Sequence, residues 1–365
     1  MQWSPQQDDA LRQVSAWLRD PKGQQVFRLF GWAGTGKSTL ATHLAKDAGE
    51  VVFAAFTGKA ALVMRKRGCT DASTIHSLIY ILEEEKGGEP KFVLNRDSAI
   101  VDADLVVIDE VSMVGAELAK DLLSFGKQVL VLGDPFQLPP VKDAGFFTDA
   151  EPDIMLTEIH RQAADNPIIR MSMDIREGRG LDFGTYGESK VIRSGAVDRG
   201  EVLAANQILC GRNATRILYN DRVRALKGLP ERVPVPGDRL VCLRNNKQKN
   251  LLNGQLWDVA EVMPKGRGGY DLLLAPEDAG NRAATALVFT HEKFFQGREE
   301  EFDWKERRRY DEFYFGYALT VHKAQGSQWD HVYLFDESNA FREDRDRHLY
   351  TAVTRAAEKI TVVAA

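Results

Sequence analysis

Apolar residues recur along the chain in two rhythms. The first is a set of short, nearly continuous apolar runs: Val26 to Phe30, Val51 to Phe56, Leu105 to Ile108 and Val129 to Leu132. Runs of this kind predict strands of a parallel sheet buried on both faces. The second rhythm is helical. Leu11, Val14 and Leu18 form an apolar stripe, and Ser4-Pro5 ahead of it predicts a capped start with proline in the first turn. Leu40 to Ala48 reads as another helix. The alternation returns later in a strand at Gln207 to Cys210, a helix at Ala214 to Leu226, α/β character at Phe315 to Val321 and a strand at Val332 to Phe335. A helical stretch at Tyr350 to Ala356 and a last strand at Ile360 to Val363 complete the pattern, which is that of an α/β protein.

Two stretches break this alternation. Ile81 to Asn95 holds two β-compatible arms around Lys86-Gly87-Gly88-Glu89-Pro90, which predicts a small hairpin insert. Three prolines fall within Pro230 to Pro236, and short strands with close turns follow from Gly237, as in a small β-barrel. Arg298 to Glu312 carries seven acidic and five basic residues, which predicts a solvated helix or linker rather than a nucleic-acid patch. Pro139-Pro140 reads as the stop of a first domain.

Length and composition narrow the class. The 365 residues suggest two to three domains, and 44% hydrophobic with 28% charged residues is ordinary for a globular chain. The net charge of −5 gives no global basic signature, although a basic groove can sit on an acidic body. Three scattered cysteines, Cys69, Cys210 and Cys242, read as buried thiols in a reducing compartment. Seven histidines without metal spacing argue against structural zinc. The start lacks an apolar signal core, and no apolar run approaches the ~18 residues of a membrane span. The expectation is a cytoplasmic protein.

The chemistry concentrates at strand ends. Gly31 to Thr39 reads GWAGTGKST, a G-x-x-x-x-G-K-[ST] loop between a strand and a helix. Glycines allow successive backbone N–H groups to point at phosphate oxygens, and the helix N-terminus adds a favourable dipole. Lys37 is then expected to reach the β- and γ-phosphates, and Ser38 to ligate Mg²⁺. Asp109-Glu110 closes the third apolar run. There Asp109 can hold Mg²⁺ and Glu110 can polarise an attacking water. Gln137, in GDPFQLPP, either orients water beside a γ-phosphate or is a turn amide. Thr57-Gly58-Lys59 opens a helix and is either a second phosphate contact or a plain turn. Arg161 in LTEIHRQ is either half of a buried ion pair or a charge stabiliser. By themselves, Gln7 reads as a surface amide, His160 as structural, His322 as an ordinary histidine and Arg355 as a surface charge.

Taken in order, the motifs SPQQ, GWAGTGKST, AFTGKAA, STIHSL, VVIDEVSM, VLVLGDPFQLPPV, LTEIHRQ, ALTVHKAQGSQWD and YTAVTRA resemble those of superfamily-one DNA helicases of the RecD/Dda branch. The resemblance runs from Trp3 to Val363. It implies two RecA-like P-loop NTPase domains, the first with a small β-hairpin insert and the second with an SH3-like β-barrel insert. The bounds are 1–150 for the first domain with its insert at about 78–100, 151–229 and 315–365 for the second, and 230–314 for the barrel. It implies ATP and Mg²⁺ as cofactors, with ATP held by Gln7, Gly34, Thr35, Gly36, Lys37, Ser38 and Thr39. Lys37, Asp109, Glu110, Gln137, Arg161 and Arg355 would be catalytic, the two arginines as fingers, with Ser38 and Asp109 at the metal. Single-stranded DNA would meet Thr57, Lys59, His76, Thr320 and His322, and the hairpin near Lys86 would split the duplex. The implied activity is ATP-driven 5′-to-3′ movement on single-stranded DNA with unwinding. The alternative is a translocase, remodeller or motor subunit that does not unwind alone. Implied partners are single-strand/duplex junctions, with single-stranded-DNA-binding, replication or recombination proteins as candidates, for a monomer in a bacterial or phage-infected cell. Trp32 and Phe56 stand where the family commonly has proline, and Gln328 where glutamate is usual.

Overall fold

The computed structural model describes residues 3–20, 22–83, 91–140, 145–158, 166–277 and 285–364. The chain forms two compact units. The first contains Met1–Leu181 together with two later segments, Gln325–Ser327 and Glu343–Thr354. The second contains Asp182–Ala324, Gln328–Arg342 and Arg355–Ala365.

The first unit is built on β1 (Val26–Gly31), β2 (Val51–Ala55), β3 (Ser73–Thr74), β6 (Leu105–Asp109), β7 (Gln128–Gly133) and β8 (Ile154–Leu156). β4 (Tyr80–Glu83) and β5 (Lys91–Leu94) form a separate antiparallel pair. The main sheet is wholly parallel, in the order β3-β2-β6-β7-β1-β8. β8, beyond the boundary expected at residue 150, is thus its sixth strand.

The apolar runs are continuous because both faces of the sheet are covered. Phe27, Leu29, Val107, Leu130 and Leu132 point into one core with α1 (Pro5–Leu18), α2 (Lys37–Leu44) and α3 (Gly58–Lys66). Their sequence neighbours Val26, Phe30, Val106, Ile108, Val129 and Val131 point into a second core with α4 (Ile75–Ile79) and α5 (Ala116–Leu123). The period-2 alternation of the strand sorts adjacent apolar residues between the two cores. α6 (Pro167–Arg176) is the last helix among the described residues of the stretch up to Leu181. The arms of the expected hairpin are β4 and β5; its tip, 84–90, lies outside the described residues.

The second unit has a mixed sheet and an antiparallel one. β9 (Gly184–Tyr186), β10 (Ser189–Arg193), β11 (Gln207–Cys210), β17 (Ala318–Thr320), β18 (Trp329–Phe335) and β19 (Ala356–Ala364) order as β17-β11-β18-β19-β10-β9. All neighbours are parallel except β9 and β10. The antiparallel sheet runs β15-β14-β13-β12-β16, with β12 (Arg239–Cys242), β13 (Leu256–Lys265), β14 (Gly269–Pro276), β15 (Ala286–His291) and β16 (Phe313–Phe315). The helices of this stretch are α7 (Arg199–Ala204), α8 (Asn213–Leu226), α9 (Glu292–Gln296) and α10 (Trp304–Arg307). The chain then makes α11 (Arg345–Val353), which belongs to the first unit.

Three sequence expectations shift. The run Phe315 to Val321 divides between two sheets, since Phe315 ends β16 and Ala318 begins β17. The last helix starts at Arg345 and ends at Val353, so Ala356 is already strand. The charged stretch Arg298 to Glu312 is not simply a solvated face. Asp311 and Glu312 are buried and paired, Glu312 with Arg244 and Arg307, and Asp311 with Lys249.

One buried ion pair joins α8 to the start of the antiparallel sheet. Arg224 and Asp238 are 2% and 0% exposed and are bonded to each other. Arg224 also donates to the carbonyls of Pro230 and Val233, both at 2.6 Å, so it fixes the proline-rich connection. Asp238 accepts from the Tyr317 hydroxyl at 2.9 Å and the Val235 N–H at 2.8 Å. Removing one member leaves the other buried without its counter-charge. Asp238→Ala is therefore expected to destabilise the unit by about 3–5 kcal/mol in chemical denaturation. Asp258→Ala, at an exposed position of β13, should change it by no more than about 0.5 kcal/mol.

Candidate active site

The loop after β1 has the backbone its sequence calls for. Gly34 and Gly36 both have φ of 82°, in the left-handed region where glycine carries no steric cost. Gly31 is needed for a different reason: a Cβ there would meet the Thr35 hydroxyl at 2.6 Å and the Leu156 Cβ at 2.8 Å. Gly36 caps the N-terminus of α2, and Lys37, Ser38 and Thr39 are the helix's first three residues.

The loop's carbonyls are occupied. Lys37 Nζ donates to the carbonyls of Gly31 at 2.5 Å and Trp32 at 3.0 Å. The Thr35 hydroxyl donates to the Trp32 carbonyl at 2.8 Å. Gln7 Nε2 donates to the Thr35 carbonyl at 3.0 Å. Gln7 is only 3% exposed. Its side-chain oxygen accepts from the Ser4 N–H while the Ser4 hydroxyl accepts from the Gln7 N–H, a reciprocal cap of α1. The surface-amide reading of Gln7 is therefore corrected: the cap turns its side chain inward onto the loop.

Two acidic side chains follow from the strand ends. Ser38 Oγ donates to Asp109 Oδ2 at 3.0 Å, bringing the two residues expected at a metal together. Arg67 donates to the same hydroxyl at 3.2 Å from the end of α3. Glu110 has φ of 56° and ψ of 48°, a left-handed conformation uncommon outside glycine and asparagine. Such strain is held where surrounding structure over-determines it and clusters at functional sites.

Beyond β7, Asp134 is 2% exposed. Burial pushes its carboxyl upward, opposed by the nearby charge of Lys37, the Tyr350 hydroxyl, the Phe136 N–H and Arg176. Tyr350, on α11, donates to Asp134 Oδ2 at 2.5 Å and accepts the Ala33 N–H of the loop at 3.2 Å. Gln137 is 8% exposed, and its amide oxygen is buried without a protein partner among the described residues. A buried acceptor of this kind fits a site that takes a polar ligand with ordered water.

The first unit thus gathers Gln7, Gly34, Thr35, Gly36, Lys37, Ser38, Thr39, Asp109, Glu110 and Gln137, along with Thr57, Lys59 and His76. Thr57 caps α3, accepting from the Ala60 N–H at 3.2 Å. Lys59 is buried on the same helix, and His76 is exposed, with its ring 6.0 Å from Phe56 and 5.9 Å from Tyr80. Gly326 approaches this helix so closely that a Cβ would meet Ala60 Cβ at 2.9 Å. The second unit carries Thr320, His322 and Arg355. Thr320 Oγ1 accepts from the Lys323 N–H at 3.3 Å, His322 lies 5.7 Å from the Phe341 ring, and Arg355 is buried. His160 and Arg161 lie outside the described residues.

Several participants were not singled out from the sequence. Gln6 accepts the N–H groups of Thr157 and Glu158 at 2.8 and 2.9 Å, tying α1 to the end of β8. The Arg176 guanidinium sits 3.2 Å over the Trp32 ring. Asp134 and Tyr350 lie inside recognised motifs but only their spatial pairing marks them.

Comparison with known proteins agrees with this geometry. Residues 2–197 match the family model described as an AAA domain, and residues 315–363 match the UvrD-like helicase C-terminal domain. The chain is 30% identical over 370 residues to the ATP-dependent RecD2 DNA helicase of Deinococcus radiodurans, covering 92% of this chain and 46% of that protein. It is 30% identical over 165 residues to the ATP-dependent DNA helicase dda of Enterobacteria phage T4, covering 41% of this chain and 37% of that one. It therefore spans less than half the length of the RecD2 protein. In fold it resembles Pif1 helicase from Bacteroides in complex with ADP-AlF3 and ssDNA, with a TM-score of 0.60, 18% identity and coverage of 100% and 93%. The Candida albicans Pif1 helicase gives a TM-score of 0.59, 20% identity and coverage of 100% and 95%. No helix among the described residues is long and apolar enough to cross a membrane. A P-loop unit of this architecture, matched over more than half of the chain, places the protein in a family: it belongs to the superfamily-one helicases of the RecD/Dda branch.

Proposed function

We propose that the chain is an ATP-driven DNA helicase that moves 5′ to 3′ on single-stranded DNA. The observation that carries this is the presence in one unit of Lys37 on a loop of glycine-shaped backbone, the Ser38–Asp109 pair, Glu110, and a Gln137 whose amide oxygen has no partner among the described residues. Phosphoryl transfer needs positioning and charge stabilisation rather than a covalent nucleophile, and these residue types supply both. Gln7 and the backbone of Gly34 to Thr39 would hold the nucleotide. Lys37 would exchange its two carbonyl partners for phosphate oxygens. Ser38 and Asp109 would hold Mg²⁺, whose contribution when bound is to neutralise charge on the β- and γ-phosphates. Glu110 would accept a proton from the attacking water, and Gln137 would orient that water. Arg161 and Arg355 are assigned as arginine fingers.

The domain assignment belongs to the same reading. The parallel sheet of the first unit, β8 included, and the mixed sheet of the second are taken as the cores of two RecA-like domains, which moves the division expected at residue 150 past Leu156. The antiparallel sheet, whose last strand runs one residue past the expected bound of 314, is taken as the SH3-like insert, and β4 with β5 as the base of a duplex-splitting hairpin. Thr57, Lys59 and His76 on one unit, and Thr320 and His322 on the other, are assigned to single-stranded DNA. Contacts of hydroxyls, a lysine and imidazoles favour backbone recognition with little sequence preference and strong salt dependence.

Strand separation on duplexes with only a 5′ or only a 3′ single-stranded tail, with ATP and Mg²⁺, tests the proposal. Unwinding of the 5′-tailed duplex alone is expected. DNA-stimulated hydrolysis without unwinding of either would instead support a translocase or motor subunit. Lys37→Ala is expected to abolish ATP turnover in a phosphate-release assay; wild-type turnover would remove the loop from the mechanism. Arg355→Ala should retain nucleotide binding while slowing hydrolysis by roughly 10³-fold, the scale of an arginine finger. An unchanged rate would make Arg355 a structural residue.

A further inference from the structure

We propose that Tyr350 is a positioning residue that couples the phosphate loop to the Gln137 loop and, through α11, to Arg355. This rests on the reading of Arg355 as a charge stabiliser given above. The hydroxyl of Tyr350 has one proton to give, and it goes to Asp134 Oδ2 at 2.5 Å. The same oxygen accepts the Ala33 N–H at 3.2 Å. A single buried atom therefore touches the nucleotide loop on one side and the loop after β7 on the other.

The second of those loops is fixed around Gln137 from both directions. On its near side, the Phe136 N–H donates to Asp134 Oδ1 at 3.0 Å, and the Phe136 ring meets Tyr350 edge-on at 5.2 Å. On its far side, the Leu138 N–H donates to Thr351 Oγ1 at 3.0 Å. The Leu138 carbonyl accepts from Gln325 Nε2 at 2.9 Å. Adjacent residues of α11 thus grip the residues flanking Gln137. Burial and the Asp134 charge keep the Tyr350 hydroxyl protonated, so it acts as donor throughout the physiological range.

α11 transmits the arrangement by its rigidity. It ends at Val353 with Thr354 as its C-cap, and Arg355 is the next residue. Four residues, three helical and one the cap, are thus all that separate Tyr350 from that arginine in the chain. A phosphate entering the loop draws on the loop's N–H groups, Ala33 among them, and weakens the hold on Tyr350. The terminal phosphate would then be registered at Asp134, at Gln137 and at the arginine together. The hydroxyl is the active element. The ring itself is needed for packing against Phe136.

The test keeps the ring and removes the hydroxyl. ATP turnover, ADP affinity by a fluorescent analogue, and thermal unfolding are compared for wild type, Tyr350→Phe, Arg355→Ala and the double variant. Tyr350→Phe is expected to lower kcat by roughly ten- to a hundredfold, the effect of one hydrogen bond to a buried charge. ADP affinity should be unchanged, and the double variant should be no slower than Arg355→Ala alone. Asp134→Asn should reproduce the Tyr350→Phe loss. The proposal is overturned by wild-type kcat in Tyr350→Phe, by losses that multiply in the double variant, or by ADP affinity and melting temperature falling in step with turnover. Failure of the wild-type protein to hydrolyse ATP would instead overturn the parent reading and this one with it.

Discussion

A loop that turns its N–H groups toward an anion must turn its carbonyls elsewhere, and those carbonyls need donors. Much of the first unit is arranged to meet that demand. Lys37 and the Thr35 hydroxyl serve the carbonyls of Gly31 and Trp32 from within the loop. Gln7 serves the Thr35 carbonyl from outside it. The consequence is that α1, besides covering one face of the sheet, is bonded to the glycine-rich loop. Its capping box orients the Gln7 side chain, and Gln6 beside it holds the backbone of Thr157 and Glu158. A two-residue step along one helix start therefore links the entry of the chain, the nucleotide loop and the last strand of the sheet.

The parallel sheet was legible because burial on both faces writes itself as unbroken apolar runs. Val26 to Phe30, Leu105 to Ile108 and Val129 to Leu132 all became strands, each with its chemistry at the carboxyl end. Local signals served as well: Ser4 and Thr57 each cap the helix that follows. What escaped was whatever depends on distant partners. Gln7 looks like a surface amide until Thr35 is brought to it. Asp311 and Glu312 look like part of a solvated charge run until Lys249, Arg244 and Arg307 fold against them. Composition cannot separate these buried acids from their exposed neighbours, since the sequence shows a charge but not its counter-charge.

The antiparallel sheet illustrates the same limit from the other side. Its strands were foreseeable from turn spacing, but the anchor that ties it to α8 was not. Arg224 lies on the helix face that a periodicity argument assigns to the core, and its charge conflicts with that place. The conflict resolves because both terminal nitrogens of the guanidinium are served, Nη1 by Asp238 and Nη2 by two carbonyls, while the Phe315 ring lies 3.8 Å from the guanidinium carbon. Arginine suits this role better than lysine, since a planar fork can bond an acid and two carbonyls at once while stacking on an aromatic face.

The late segments of the chain show why the order of motifs in sequence differs from their grouping in space. Gln325–Ser327 and Glu343–Thr354 cluster with the first unit, while the strands on either side of them belong to the second. Each is held by contacts that tolerate little substitution. Gly326 leaves no room for a Cβ against Ala60, Gln325 and Thr351 take the two backbone groups of Leu138, and Tyr350 takes Ala33 and Asp134. These residues fall in motifs that the resemblance assigns to the second domain, yet their bonding partners are the phosphate loop and the loop bearing Gln137. A motif placed in this way cannot be serving only the sheet it is threaded from. Its side chains bond the nucleotide loop, and the stretch that carries them continues in sequence from Thr354 into Arg355.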